Sequence, residues 1–361
     1  MPPAVDRRAR HHTACLRGPC HGPHSATSPA PAATIRDNGR VTAHFESVDD
    51  VRDRLAEAGY LASDAIATTV FLADALGKPL LVEGPAGVGK TELAKAVASA
   101  LSGATGENAD LVRLQCYEGI DEARALYEWN HAKQLLRITA NTALAQASSS
   151  GAAANAASPD DAPSGAAAHD WDELATDIFT DDFLLTRPLL RAIRNTQPTV
   201  LLIDELDKAD VEVEGLLLEV LSDFQVTVPE LGTITATQRP FVVLTSNAAR
   251  DLSEALRRRC LFLHIDYPTP ALEQRIVELK VPGLDAALVE SVVRLVHRLR
   301  QMPLRKAPSV AETVDWARTL IALGADGTGD LDATVLRANL GVLLKHQDDI
   351  ERAATLLKID A

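Results

Sequence analysis

The chain has 361 residues, 46% of them hydrophobic, and a net charge of −14. Length and composition predict a soluble protein of about two folded domains. No run approaches the roughly 18 apolar residues of a membrane span, and the acidic balance argues against broad nucleic-acid binding, which needs a basic face. Four scattered cysteines, Cys15, Cys20, Cys116 and Cys260, make no disulfide framework and fit a reducing cytosol, so a cytoplasmic location is expected.

Residues 1–40 are rich in Pro, His, Ala, Arg and Ser and have no periodicity, which predicts a disordered leader. The leader lacks the apolar core of a secretory signal. Its His11, His12, Cys15, Cys20, His21 and His24 do not follow a zinc-ligand spacing. Helical patterning begins after residue 41, over 48–58 and 62–76. A short apolar run, Pro79-Leu80-Leu81-Val82, then reads as a strand.

It leads into Gly84-Pro85-Ala86-Gly87-Val88-Gly89-Lys90-Thr91, a G-x-x-x-x-G-K-T phosphate-binding loop that opens a helix at Glu92. Glycines let the backbone curl so that its N–H groups face a phosphate, and the helix aims its positive end at the same charge. Lys90 is placed for the β- and γ-phosphates and the Thr91 hydroxyl for Mg²⁺. Residues 84–92 together with Asp204 are thus the candidate nucleotide-binding set.

Residues 111–116 read as the next strand. The Ala-, Ser-, Gly- and Pro-rich stretch 142–169 is expected to be a disordered insertion looping out of the core, with a helix-like acidic segment at 170–177. Val200-Leu201-Leu202-Ile203 reads as a strand buried on both faces. It ends in Asp204 and Glu205, carboxylates that packing alone does not explain, since buried charge is costly. Asp204 is placed to hold Mg²⁺ through water, and Glu205 to polarise the water that attacks the γ-phosphate.

Residues 210–223 read as a helix. Residues 224–228 and 232–237 alternate like the two arms of a β-hairpin. Phe241-Val242-Val243-Leu244-Thr245 is a third buried strand, and Asn247 just past it can orient the lytic water. Beyond Pro268 and Pro270 the pattern is helical, over 271–281, 285–301, 309–323 and 332–357. Ser309-Val310-Ala311-Glu312 forms a capping box at the start of the third of these.

The order of phosphate loop, Asp-Glu strand, hairpin, Asn-ended strand, arginine cluster and helical bundle resembles an AAA+ ATPase. The likeness covers residues 41–358. Val82 to Glu92, Gln115-Cys116-Tyr117-Glu118-Gly119-Ile120-Asp121, Leu126-Tyr127-Glu128-Trp129-Asn130, Leu252 to Cys260 and Pro308 to Ala317 are similar to the MoxR group. Within it they are similar to the branch linked to maturation of molybdenum–copper carbon monoxide dehydrogenase.

The resemblance implies an α/β P-loop NTPase fold: a parallel sheet flanked by helices, a β-hairpin insertion and a C-terminal all-α lid. The domains would be 41–267 and 268–361. It implies ATP and Mg²⁺, a ring oligomer (a hexamer in the group), a von Willebrand A domain partner and a protein client. It also implies that Arg259, with Arg258 assisting, reaches across a subunit boundary to the neighbour's γ-phosphate, where a positive group neutralises developing charge. The simpler alternative for these arginines is a basic helix end favoured by the helix dipole.

Two positions depart from the family pattern. Cys260 stands where many relatives carry an aromatic residue. The helix that begins at Ser309 often presents an arginine to the γ-phosphate, but here that turn holds Ala311, Glu312 and Thr313, with Arg305 or Lys306 just upstream as stand-ins. The leading functional expectation is an ATPase that hydrolyses ATP to ADP and phosphate and remodels a client protein. A nucleic-acid motor or nucleotide-dependent switch with the same core is the rival. A module that holds ATP without hydrolysis is a third reading, and Glu205 and Asn247 argue against it.

Overall fold

The apolar runs found in the sequence become the middle of a parallel sheet in the computed structural model, which describes residues 43–153, 177–324 and 333–356. These lie within one compact unit, Val41–Ala361. In chain order the elements begin with α1 (Val48–Glu57), α2 (Asp64–Leu76), β1 (Leu80–Glu83), α3 (Lys90–Thr105) and β2 (Asp110–Gln115). Next come α4 (Glu122–Ala125), β3 (Tyr127–Trp129), α5 (His131–Ala153), β4 (Leu184–Thr186), α6 (Pro188–Arg194) and β5 (Thr199–Asp204). Then follow α7 (Val211–Asp223), β6 (Gln225–Val228), β7 (Gly232–Thr235), β8 (Phe241–Ser246), α8 (Glu254–Arg259) and β9 (Leu261–His264). The helices α9 (Pro270–Lys280), α10 (Ala286–Arg300), α11 (Val310–Ala322), α12 (Ala333–Leu343) and α13 (Gln347–Leu356) complete the order.

The main sheet has strand order β2-β5-β8-β1-β9, with every pair parallel. Successive side chains along a strand face opposite sides, so each strand feeds two cores. Leu80, Val82, Val200, Leu202 and Val243 join Leu93 and Val97 of α3 and Leu55 of α1 on one face. Leu81, Leu201, Ile203 and Leu244 join Leu189 of α6, Leu217 of α7 and Leu256 of α8 on the other. This is the expected parallel sheet flanked by helices. The expected hairpin is the antiparallel pair β6–β7.

The helices after residue 270 form apolar clusters of their own, one around Trp316, Leu320, Leu340 and Leu344. Trp316 is fully buried. The predicted capping box is present, with Ser309 and Glu312 each bonded to the other's backbone. A polar network ties three of these helices together. Glu273 on α9 is fully buried and accepts from Arg300 at 2.6 and 2.8 Å, from the Thr313 hydroxyl at 2.8 Å, and faces His297 at 2.9 Å.

Two expectations are corrected. The stretch 332–357, read as one helix, is two, α12 and α13. Gly341 in the last turn of α12 and the acidic Asp348-Asp349 opening of α13 mark the break, and tertiary contacts reinforce it. Asp349 is buried in the first turn of α13, where its carboxylate accepts the backbone N–H groups of Arg305 and Lys306, while Ala353 turns into the same core as Leu340 and Leu344. The insertion read as disordered from residue 142 is helical as far as Ala153, because α5 continues through it. Alanine is the best helix former. The first turns of α5 are anchored by Lys133 to the Asp182 carbonyl (2.6 Å) and by Arg137 to Asp177 (2.8 Å). Residues 154–169, the predicted acidic helix up to residue 176 and the leader 1–40 lie outside the described residues. Among the described residues no helix is long and apolar enough to cross a membrane.

Candidate nucleotide site

The phosphate loop joins β1 to α3 at the carboxyl edge of the sheet, where open α/β folds bind ligands. Gly84 has φ 152°, and a Cβ there would stand 1.9 Å from the Ile265 carbonyl oxygen, so no side chain fits. Gly87 has φ 75°, and a Cβ on it would lie 2.4 Å from Ser309 Oγ. The loop is therefore pressed against both the exit of β9 and the start of α11. The sixteen residues of α3 direct their positive dipole end at the loop.

Lys90, the first residue of α3, is buried. Its Nζ donates to the carbonyls of Gly84 (2.6 Å) and Pro85 (2.7 Å) and to Asn247 Oδ1 (2.8 Å). Three acceptors saturate an ammonium group. Burial lowers the Lys90 pKa, opposed by the carboxylates of Asp207, Asp204 and Glu205. This geometry brings Lys90 and Asn247 together although 157 positions separate them.

The Thr91 hydroxyl donates to Asp204 Oδ1 at 3.0 Å. Asp204 is 2% exposed and also accepts from Thr245 Oγ1 at 2.6 Å and Arg113 at 2.5 Å. Strand register produces this cluster. Asp204 continues the face of Val200 and Leu202, Thr245 continues that of Phe241 and Val243, and the pairing of Ile203 with Leu244 sets the two side by side. A hydroxyl and a carboxylate next to a phosphate loop are hard oxygen donors that suit Mg²⁺, so the residues present fit that ion.

Glu205 stands just beyond β5 in the left-handed region, at φ 56° and ψ 48°. Its N–H donates to Thr245 Oγ1 at 2.9 Å. Its carboxylate accepts from Gln115 Nε2 at 2.9 Å and from Lys208 Nζ at 2.7 Å. The hydrogen bond to Glu205 raises the Lys208 pKa. Behind it, the buried Asp207 accepts the backbone N–H groups of Asn247 and Ala249, both at 3.1 Å, which fixes Asn247 at the mouth of β8.

Sequence reasoning missed Arg113, Gln115, Thr245 and Asp207. For Arg113 and Gln115 a signal existed: they are polar residues two apart near the end of a strand, on the face that Asp204 shares. Their partners depend on the β2–β5 register, which pairs Gln115 with Asp204.

Next to the loop lies a cavity of about 560 Å³, lined among others by Tyr60, Ile66, Val88, Glu92, Tyr267 and Leu272. Such a volume, mostly apolar with a few polar groups, suits a small-molecule site. A side chain on Gly89 would meet the Tyr60 ring at 3.6 Å, and burial, followed by the Glu92 charge, pushes the Tyr60 phenol pKa up. Glu92 itself pairs with Lys95 at 2.6 Å.

Arg258 and Arg259 are exposed on α8. Arg258 pairs with Glu254 at 2.7 Å, and Arg259 Nε donates to Ser222 Oγ at 2.9 Å. Unlike the residues above, they are not drawn into the cluster around Lys90. On the C-terminal helical side, Arg305 lies 3.9 Å from Asp348 and Lys306 lies 3.9 Å from Glu312. The Ala311 N–H donates to the Gly87 carbonyl at 3.3 Å, so α11 meets the loop through backbone.

A parallel sheet with this loop at its carboxyl edge and an acid-tipped neighbouring strand defines a P-loop nucleoside triphosphatase. Residues 79–260, just over half of the chain, match the AAA domain of the dynein-related subfamily, and the chain belongs to that family. Membership carries nucleotide binding and ATP hydrolysis as the general activity, and AAA+ proteins commonly assemble as rings. No curated protein matches the chain.

Proposed function

We propose that this chain is a MoxR-type remodelling ATPase that works as a ring, hydrolyses ATP at subunit boundaries and reshapes a client protein. The observation that carries this reading is the convergence of Lys90, Thr91, Asp204, Glu205 and Asn247 within hydrogen-bond contact of one another or of shared neighbours. Within it, the backbone N–H groups of residues 86–91 bind and orient the phosphates, and Lys90 Nζ exchanges one of its three acceptors, the carbonyls of Gly84 and Pro85 and Asn247 Oδ1, for a phosphate oxygen. Thr91 Oγ1, together with Asp204 through water, would hold Mg²⁺, which would supply charge neutralisation on the phosphate oxygens. Glu205 takes the proton of the attacking water at its carboxylate, and Asn247 Oδ1 orients that water. The cavity beside Tyr60 receives the nucleoside.

The exposed Arg258 and Arg259 support a shared site, since neither is engaged with the loop of its own subunit. Helices α9–α13 act as the lid. It touches the loop through the Ala311 N–H and the Ser309 side chain, and Arg305 or Lys306 stands in for a lid arginine in this reading. The von Willebrand A domain partner and a role in metalloenzyme or complex maturation belong to the same reading.

The test is ATPase activity and oligomeric state with and without a von Willebrand A domain protein or DNA. Stimulation by the protein in a ring assembly supports the proposal, and stimulation by DNA alone overturns it in favour of a nucleic-acid motor. Arg259→Ala should keep ATP binding yet lose roughly a thousandfold in hydrolysis. Mixing it with Lys90→Ala subunits should restore activity.

A further inference from the structure

Three consecutive arginines end α8, and the fold treats the first differently from the other two. Arg257 turns inward and pairs with Glu83 at 2.5 Å. Glu83 is 7% exposed and is the last residue of β1. The next residue, Gly84, opens the phosphate loop, and its carbonyl accepts from Lys90 Nζ at 2.6 Å. On its other side the Arg257 guanidinium lies over the Phe262 ring of β9, 5.9 Å from its centre.

Topology dictates this contact. Strands β8 and β9 flank β1, so the connection between them must cross β1, and α8 lies in that connection. Leu81 and Glu83 share a sheet face because they are two apart. Leu81 packs in the same core as Leu256 of α8, which brings Glu83 under α8. Among the described residues Arg257 is the only cation paired with Glu83. A buried carboxylate is costly to leave unpaired, so the pair fastens the helix to the strand end.

We infer that Arg257 is a positioning residue for the neighbouring subunit's site. Through Glu83 it holds α8, and with it Arg259, in register with the phosphate loop of its own subunit. The inference rests on the reading of Arg259 as completing a neighbour's site.

The test uses co-assembled mixtures of full-length subunits. When Lys90→Ala and Arg259→Ala subunits are mixed, the productive sites join the loop of an Arg259→Ala subunit to Arg259 of a Lys90→Ala subunit. Arg257→Gln is then added to one partner at a time. In the Lys90→Ala subunit, which donates Arg259, it should lower kcat at least about fivefold, the lower end of measured couplings between sites. KM for ATP should stay within about twofold, the margin of independent effects. In the Arg259→Ala subunit, which bears the loop, the effect on kcat should be smaller and any change should fall on KM.

Equal losses from both placements, or no loss from the donor placement, would overturn the inference. Should Arg257→Gln alone fail to fold, the Glu83→Gln/Arg257→Gln pair, which leaves no uncompensated charge, is carried through the same placements and must show the same asymmetry. If the mixture is inactive before any change at 257 although both subunits co-assemble, the shared-site reading fails and takes this inference with it. If that mixture is active and the asymmetry is missing, the positioning role alone is wrong.

Discussion

The backbone N–H of Ala311 donates to the carbonyl of Gly87 at 3.3 Å. The start of α11 is therefore bonded to the phosphate loop with no side chain in between, and a cap residue, Ser309, fills the space over Gly87. Gly87→Ala tests this contact. The new methyl would lie 2.4 Å from Ser309 Oγ at a φ of 75°, so α11 or the loop has to move. Nucleotide affinity should fall, and melting temperature with bound nucleotide should fall more than melting temperature without it. Equal affinity for Gly87→Ala and the unaltered chain would show that the contact is dispensable.

Lys90→Ala and Glu205→Gln should separate binding from chemistry. Lys90 Nζ bonds the loop directly, and its loss should weaken ATP binding roughly a hundredfold, the scale of one or two charge-assisted bonds. Glu205→Gln should bind ATP normally and turn it over about a hundredfold more slowly, the scale of a lost general base. Equilibrium binding alongside single-turnover hydrolysis distinguishes the two; near-normal turnover in Glu205→Gln would remove that residue from the mechanism.

Gln115 donates to the Glu205 carboxylate at 2.9 Å and its Oε1 accepts from Arg113, the partner of Asp204; the first contact is expected to dominate its effect on turnover. Gln115→Ala should leave ATP affinity unchanged and lower kcat by about tenfold, because a misplaced reacting group is costly. Combined with Glu205→Gln it should add little further. An additive loss in the double variant would place Gln115 in a separate role.

The Asp349 prediction concerns pH. Backbone N–H groups of Arg305 and Lys306 hold its pKa below the usual 3.8. A carboxyl depressed in the folded state stabilises at pH values above its unfolded pKa, and that contribution is lost as pH falls through the lower folded value. Asp349→Asn should therefore melt below the unaltered chain at neutral pH, with the gap narrowing once pH drops under 3.8. A gap that stays constant across that range would show that the carboxylate charge is not what matters.

What the sequence reveals and what it hides follow from locality. Residues 84–91 are legible because the phosphate loop is a contiguous spacing rule, and β5 and β8 because a strand buried on both faces is a continuous apolar run. The three-residue strands β3 and β4 carry too little pattern to be read. Arg113 and Asp207 acquire meaning only from neighbours 91 and 40 positions away. The arginine triplet looks uniform in one dimension; the crossing of α8 over β1 turns Arg257 inward and leaves Arg258 and Arg259 outside. The break between α12 and α13 has weak local signals, Gly341 in the last turn of the first and the acidic Asp348-Asp349 opening of the second, and the buried Asp349 reinforces it.

The backbone of Glu205 leaves β5 at φ 56°, a conformation that costs a residue with a Cβ about 1–2 kcal/mol. Glycine would occupy it without that penalty. The chain thus tolerates a local defect in order to turn one carboxylate away from its sheet. On the proposed role a Glu205→Gly protein should lose turnover, while its melting temperature should move little, because relief of the strained backbone is offset by the entropy of glycine and by the lost bonds from Gln115 and Lys208.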